Sequence, residues 1–241
     1  MRVLVTPDYR TLSEEAAALV ARAVRMKPDL ALGLPTGNTP LGMYEELIRK
    51  HRQEELDFSR VRTFNLDEYL GIAPGHPWSY HAYMKTRFFD HVNVRPEHAH
   101  IPDGSPGIDA ALECERYENA IRDSGGIDLL IVGIGTNGHI AFNEPGSSFD
   151  SRTRVVSLAP ETIQNAWKHF ANEAKIPKHA ITVGIRTILD ARHILLLAAG
   201  PAKAEAIERA LRSPVSESIP ASAIQLHSDV IVILDEAARR H

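Results

Sequence analysis

The chain has 241 residues, 44% of them hydrophobic and 24% charged, enough to bury the core of one large α/β domain. A formal net charge of -4 and a pI near 6.3 leave no basic field to hold nucleic acid or anionic lipid. A lone cysteine, Cys114, excludes an internal disulfide framework and suits a reducing compartment; no apolar run nears the ~20 residues of a membrane helix, so a cytoplasmic protein is expected.

Residues 2–6 read as a first strand, with no apolar stretch behind them to serve as a signal peptide. An amphipathic helix is predicted over 13–26, with Ser13 placed to cap it. Residues 30–34 form a short apolar strand that runs into Pro35-Thr36-Gly37-Asn38-Thr39-Pro40, and 41–51 a second helix. A third strand, 61–66, closes on Asp67-Glu68-Tyr69. Helices are predicted over 79–91 and 108–123. The most apolar strand, 127–134, belongs at the centre of a sheet. Strands at 153–158, 180–185, 194–199 and 230–235 complete the set, with helices over 160–170 and 201–211 between them.

Runs such as Leu129-Leu130-Ile131-Val132 are apolar without alternation, so both their faces should be covered, as in a parallel sheet between helix layers. Crossovers of about 25 to 30 residues suit right-handed βαβ units. No repeat, low-complexity segment or Pro/Gly/Ser linker interrupts 1–241, which reads as a single domain. Ligands of such sheets bind at the carboxyl ends of strands, where the topology switches direction, and three polar segments fall there.

The first is 35–40. It can aim backbone N–H groups and the hydroxyls of Thr36 and Thr39 at an anion, with the positive end of a helix behind them. Gly37 lets the backbone approach closely, and Pro40 suits a first helical turn. The same residues, Asn38 included, also make an ordinary strand–helix turn, so both readings stay open; no Gly-Lys-Ser/Thr follows, which excludes a Walker loop. In the second segment, Asp67 and Glu68 are neighbours on an extended chain and point to opposite sides, so only one can face a given cleft. A pair of solvated charges is the plain reading, and a base that takes a proton beside a carbonyl is the functional one.

The third segment, Gly133-Ile134-Gly135-Thr136-Asn137-Gly138, matches G-x-G-x-x-G, but only about two helical turns fit before Pro145, and 153–158 ends without an acid. Dinucleotide binding is therefore rejected. His139 and Glu144, five positions apart, instead offer an imidazole oriented by a carboxylate, the usual proton shuttle near neutral pH. Twelve histidines, with pairs such as His98 and His100 or His76 and His81, match no zinc spacing, so no metal is predicted.

Together, LGLPTGNTP (32–40), FNLDEYLG (64–71) and GIGTNGHIAFNEPG (133–146) resemble the glucosamine-6-phosphate deaminase family. Softer matches, SRTR (151–154), AITVG (180–184), AGPAK (199–203) and IQLH (224–227), extend the resemblance in order over nearly the whole chain. It implies an α/β fold, a Rossmann-like three-layer αβα sandwich with a mainly parallel central sheet. It further implies an enzyme that turns glucosamine 6-phosphate and water into fructose 6-phosphate and ammonia without a cofactor. Asp67 would move a proton between carbon 2 and carbon 1 of the open-chain sugar. His139 would open the ring, with Glu144 and Asn137 beside it holding its orientation and charge. Thr36, Gly37, Asn38, Thr39, Lys168 and Lys203 would bind the phosphate. The expected partner is this small substrate, not nucleic acid or membrane, and a homo-oligomer is compatible with the sequence.

Departures narrow these expectations. Asn137 stands where some members carry Asp, which leaves Glu144 to supply the negative partner of His139. Lys168 replaces a frequent Arg and loses its bidentate fork. Longer members respond to N-acetylglucosamine 6-phosphate; Ser147 and Arg154 match parts of that site, but Val156 replaces a basic residue and no longer tail follows His241, so weak activation or none is expected. Two other readings compete. A 6-phosphogluconolactonase shares the architecture and hydrolyses an ester. A non-enzymatic sugar-phosphate sensor wants a helix-turn-helix and a basic face that this sequence lacks.

Overall fold

The apolar, non-alternating runs occupy the middle of a parallel sheet in the computed structural model, which describes residues 1–158 and 177–239. The chain opens with β1 (Arg2–Thr6) and α1 (Tyr9–Met26), whose buried Leu12, Ala16, Val20 and Val24 recur at helical spacing. Asp8, not Ser13, caps α1 by accepting from Thr11 N at 2.8 Å. Ser13 lies a turn inside, buried, and its hydroxyl satisfies itself on Tyr9 O at 2.8 Å.

β2 (Ala31–Leu34), α2 (Leu41–Gln53) and β3 (Arg62–Asn65) follow, then a separate strand β4 (Asp67–Tyr69). α3 (Tyr80–Arg87) is shorter than predicted: Ser79 caps it, and the remainder winds into a 3-10 turn, Phe89–His91. A two-residue β5 (Ala99–His100), which carries no apolar run to announce it, precedes α4 (Ala110–Asp123) and β6 (Leu129–Gly133). β7 (Arg154–Ser157), β8 (His179–Thr182), α5 (Ile185–Leu189), β9 (His193–Ala198), α6 (Ala204–Arg212) and β10 (Val230–Asp235) complete the order, with a 3-10 turn, Pro201–Lys203, leading into α6. The helix predicted over 160–170 lies outside the described residues.

Seven strands form one sheet in the order β1-β10-β9-β6-β2-β3-β5, every pair parallel. β6 is central, as its composition requires, and Leu130, Ile131 and Val132 are fully buried. One core joins Leu32, Ile131, Leu195 and Ile233 to Val20 and Leu47 of α1 and α2; the other joins Leu130, Leu196 and Val232 to Tyr117 of α4 and Ile207 of α6. Helices thus cover both faces, giving the three layers. From β2 the chain steps outward to β3 and β5, then returns to β6 and steps the other way, so β2 and β6 flank the topological switch point.

Two predicted strands, 153–158 and 180–185, and the residues that close a third depart from this sheet. Residues 67–69, 154–157 and 179–182 form a second, antiparallel sheet in the order β4-β8-β7. Alternation explains it for β7: Arg154 and Val156 are half-buried while Val155 and Ser157 are exposed, a one-sided pattern that a helix-covered parallel sheet would not tolerate. Among the described residues no helix is long and apolar enough to cross a membrane.

At the amino ends of the strands Asp128, nearly buried, accepts from Ala31 N at 2.8 Å and pairs with Lys27 at 2.7 Å and Arg192 at 3.2 Å. Burial opposes its ionisation, but the Ala31 amide, Lys27 and Arg192 outweigh it and hold its pKa below the usual 3.8. The stability this supplies is present above the unfolded value and is lost as pH falls through the lowered folded one. Asp128→Asn is expected to cost about 1–3 kcal/mol at neutral pH, and the gap from wild type to close in acid. Melting curves at about pH 7 and about pH 2 check the sign; a gap that is equal at both would refute it.

Candidate active site

At the switch point the loop after β2 faces the loop after β6. Thr36-Gly37-Asn38-Thr39 turns from β2 into α2, with Gly37 at φ +96°, a conformation that costs glycine least. Pro40 is the N-cap of α2, whose first amides are taken by neighbours: Leu41 N donates to Asn38 O at 3.3 Å and Gly42 N to Tyr9 Oη at 2.8 Å. Among the described residues the N–H groups of Thr36, Gly37, Asn38 and Thr39 have no hydrogen-bond partner. Asn38 and Thr39 share the wall of a cavity of about 390 Å³ with Ala199, at the carboxyl end of β9. Lys203 lies four residues on, in the turn held by the Gly200 N–H to Asp235 bonds of 3.0 Å. Half-buried, with desolvation alone pulling its amine pKa down, it is a cation without a carboxylate neighbour among the described residues.

The two adjacent acids part company. Glu68, 1% exposed, accepts from Tyr69 N at 2.8 Å, from Tyr80 N and His81 N at 3.0 Å each, and pairs with His81 Nδ1 at 2.9 Å. Its carboxylate is consumed by the first amides of α3, which lack partners within the helix. Asp67, one residue earlier, points the other way and has no hydrogen-bond partner among the described residues. Burial, and then the charge of Glu68, push its pKa up from 3.8 to about 8.

After β6 the chain turns tightly on Gly138 (φ +90°), where Gly138 N donates to Gly135 O at 3.0 Å. The His139 ring lies flat on Gly135, where any Cβ would overlap it. Asn137 bridges the segment: its Oδ1 accepts from His139 N at 3.1 Å and its Nδ2 donates to Glu144 Oε2 at 2.7 Å. His139 Nδ1 is buried 3.6 Å from the same Glu144 oxygen, inside ion-pair range but too far for a hydrogen bond.

What joins these parts is the small sheet. Asp67, Thr182 and Arg154 stand opposite one another across β4, β8 and β7, so their side chains share one face. On that face Thr182 Oγ1 accepts from Phe142 N at 3.1 Å, and Arg154 donates to Asn143 Oδ1 at 2.8 Å and Ser147 Oγ at 3.2 Å. Asn143, fully buried, donates to Val183 O at 2.8 Å and Ile140 O at 3.0 Å. The 139–147 loop is thereby seated on the sheet that carries Asp67. In the next row Tyr69 packs on Phe142 with ring centroids 5.5 Å apart, and on Tyr80 at 5.0 Å. Tyr80 also stacks on Phe142, with ring centroids 6.1 Å apart, and its hydroxyl lies near Thr36 of the first loop.

Thus Asn137, His139 and Glu144 contact one another, their loop is seated on the small sheet that carries Asp67, and the Thr36–Thr39 segment follows β2, the sheet neighbour of β6. Lys203 follows the strand end that borders that segment, and Lys168 lies outside the described residues. Thr182 and Tyr80, which the sequence reading did not single out, help to hold these segments. A buried hydroxyl inside the apolar run 180–185 was the available signal for Thr182. Among the described residues no three His, Cys, Asp or Glu side chains are grouped to hold a metal ion.

The family model described as glucosamine-6-phosphate isomerases/6-phosphogluconolactonase matches residues 9–233. A glucosamine-6-phosphate deaminase of Halothermothrix orenii is 52% identical over 238 residues, 99% of this chain and 98% of the relative. One of Thermoanaerobacter pseudethanolicus is 46% identical, covering 99% of this chain and 94% of its own. A solved monomeric glucosamine-6-phosphate deaminase superposes with TM-score 0.95 at 47% identity, over 99% of this chain and 98% of that one. A 6-phosphogluconolactonase from Leishmania guyanensis matches at TM-score 0.77 and 21% identity, over 98% and 97% of the two chains, and so shares the fold.

Asp67 offers a test that needs no substrate. With a folded pKa of about 8 against 3.8, the folded protein keeps a proton that the unfolded chain has released. The stability this represents is full below 3.8 and is lost as pH rises through about 8. Asp67→Asn, which cannot ionise, is expected to be more stable than wild type by roughly 1–3 kcal/mol at alkaline pH, with the gain vanishing in acid. Denaturant midpoints across that range measure it, and no gain on the alkaline side would contradict the buried, unpaired carboxylate.

Proposed function

This chain belongs to the glucosamine-6-phosphate deaminase family, and from that membership we infer that it converts glucosamine 6-phosphate and water into fructose 6-phosphate and ammonia. The observation that carries the mechanism is the Asp67 carboxyl: buried, partnerless among the described residues, and on the sheet face that seats the loop of His139. The proposed reading assigns each part a task.

The free amides of 36–39, the dipole of α2 behind them and Lys203 supply positive potential for the phosphate and fix the sugar by its far end. Held so, the ring lies towards His139. Its imidazole takes the proton of the carbon-1 hydroxyl and returns one to the ring oxygen, opening the pyranose. Glu144, 3.6 Å away, stabilises the imidazolium that forms between the two transfers, and Asn137 keeps the carboxylate in place.

Ring opening exposes an aldehyde at carbon 1, which acidifies the proton on carbon 2. The substrate's ammonium adds to this, and an opposite charge beside Asp67 favours the carboxylate form that burial alone disfavours. Substrate binding therefore generates its own base. Asp67 takes the proton from carbon 2 while one proton of the ammonium passes to the carbonyl oxygen, giving an enolamine; Asp67 then delivers its proton to carbon 1, leaving a protonated imine at carbon 2. Water adds there, ammonia leaves, and the ketone of fructose 6-phosphate remains. The carbonyl of the substrate is the electron sink, so no redox cofactor enters the balance. The monomeric relative supports a site completed within one chain, and we propose that 1–241 acts as one domain.

Purified protein incubated with glucosamine 6-phosphate is expected to release ammonium and fructose 6-phosphate in equal amounts and to leave 6-phosphogluconolactone untouched. Hydrolysis of the lactone without ammonium would transfer the site to ester chemistry. Asp67→Asn is expected to lower kcat roughly 10²- to 10⁴-fold with substrate affinity little changed; near-normal ammonium release would remove Asp67 as the base. Lys203→Ala is expected to raise KM roughly 10- to 100-fold with a smaller change in kcat. An unmoved KM would take Lys203 out of the phosphate site.

A further inference from the structure

The loop between β2 and α2 is held by its carbonyls. Asn65 Nδ2 donates to Leu34 O at 3.0 Å, Tyr44 Oη to Pro35 O at 2.6 Å and Tyr83 Oη to Gly37 O at 2.5 Å. Tyr9 Oη lies 3.1 Å from both Asn38 O and Thr39 O, and itself accepts from Gly42 N at 2.8 Å. The three tyrosines come from three helices: Tyr9 opens α1, Tyr44 lies in the first turn of α2, and Tyr83 sits in α3. They converge on one short loop from outside it.

In a trans peptide the carbonyl of one residue and the N–H of the next point in opposite directions. Fixing Pro35 O, Gly37 O and Asn38 O against protein hydroxyls therefore turns the N–H groups of Thr36, Asn38 and Thr39 the other way. Those N–H groups have no partner among the described residues. Without the hydroxyls, the same peptide planes could rotate and present carbonyl oxygens, which repel an anion. Burial pushes the phenols of Tyr44 and Tyr83 above their usual range, so both stay protonated donors at working pH.

We propose that Tyr9, Tyr44 and Tyr83 are positioning residues that hold the 36–39 amides as a preorganised receptor for the phosphate of the substrate without touching it. The proposal rests on the sugar-phosphate reading of the site. It deepens that reading by saying what orients the receptor: neutral hydroxyls on rigid rings, which add no charge to compete with the ligand.

Tyr44 is fully buried, so the test uses the more accessible pair. Tyr9→Phe, Tyr83→Phe and the double variant remove only oxygen atoms. Each single change is expected to raise KM for glucosamine 6-phosphate and the Kd of inorganic phosphate by the same factor, roughly 3- to 10-fold. The double variant is expected to approach the product, with kcat within about twofold and the melting midpoint little moved. Unchanged KM and phosphate Kd in the double variant overturn the proposal. So does a fall in kcat at constant KM, or a fall in melting midpoint that accounts for the loss, because either marks a merely structural role. A wild-type protein with no measurable phosphate affinity overturns it as well. Phosphate titration by calorimetry needs no turnover. If wild type releases no ammonia yet the variants lose phosphate affinity, the reaction is misassigned and the tyrosines keep their role.

Discussion

The site depends on the register of a three-residue strand. β4 pairs with β8 so that Asp67 stands opposite Thr182, Glu68 opposite Ile181 and Tyr69 opposite Ala180. Side chains alternate along a strand, so a slip of one residue would turn Asp67 outward and bring Glu68 into the cleft. Three anchors prevent that slip: Val183 N on Leu66 O at 2.8 Å, Leu70 N on His179 O at 2.9 Å, and the Glu68 carboxylate locked onto the amides of α3. Thr182 then does two things at once. Its backbone fixes the height of Asp67, and its hydroxyl fixes the 139–147 loop. The proposed base and the proposed ring-opening imidazole come from strand ends far apart in sequence, yet their relative position passes through one residue.

Adjacent acids with opposite fates follow from that register. Glu68 carries four donors and holds α3; Asp67 carries none among the described residues and shares the opposite face with Thr182 and Arg154. A carboxylate buried without donors is costly, and the cost is what makes it a base whose proton affinity reaches the neutral range. Glu68 raises it further by proximity. An Asp-Glu pair is thus one anchor and one proposed reactive group: the anchor holds the strand that carries the proposed base.

How much of this was legible in the sequence can be argued residue by residue. The parallel sheet was legible because β6, β9 and β10 are apolar on both faces, and the switch-point loops because they are the polar interruptions of those runs. The cap of α1 was misplaced onto Ser13 because two residues of capping type lie only five positions apart, and only the backbone shows that Asp8 is extended at φ -155°. The small sheet was hidden because its strands are three or four residues long and β4 pairs with residues over a hundred positions away on β8, a separation that local periodicity cannot register. For the same reason Thr182 and Tyr80 stayed out of sight. Their importance lies in what they face, and that is decided by pairing.

The glycine run after β6 shows how one local pattern can serve unrelated chemistry. In a dinucleotide fold such glycines let backbone approach a pyrophosphate and let a helix pack on its strand. Here Gly135 gives up its Cβ so that the His139 imidazole can lie against the main chain, and Gly138 supplies a positive-φ turn pressed against Ile219. No helix opens behind them: the chain bends back through the Ile140–Asn143 bridge, with Ala141 itself at φ +50°, and returns Glu144 to within reach of the ring. The need common to both cases is close approach to backbone at a strand's carboxyl end. In one it admits a ligand; in this protein it admits a side chain, and the proposed phosphate receptor is the loop of β2 instead.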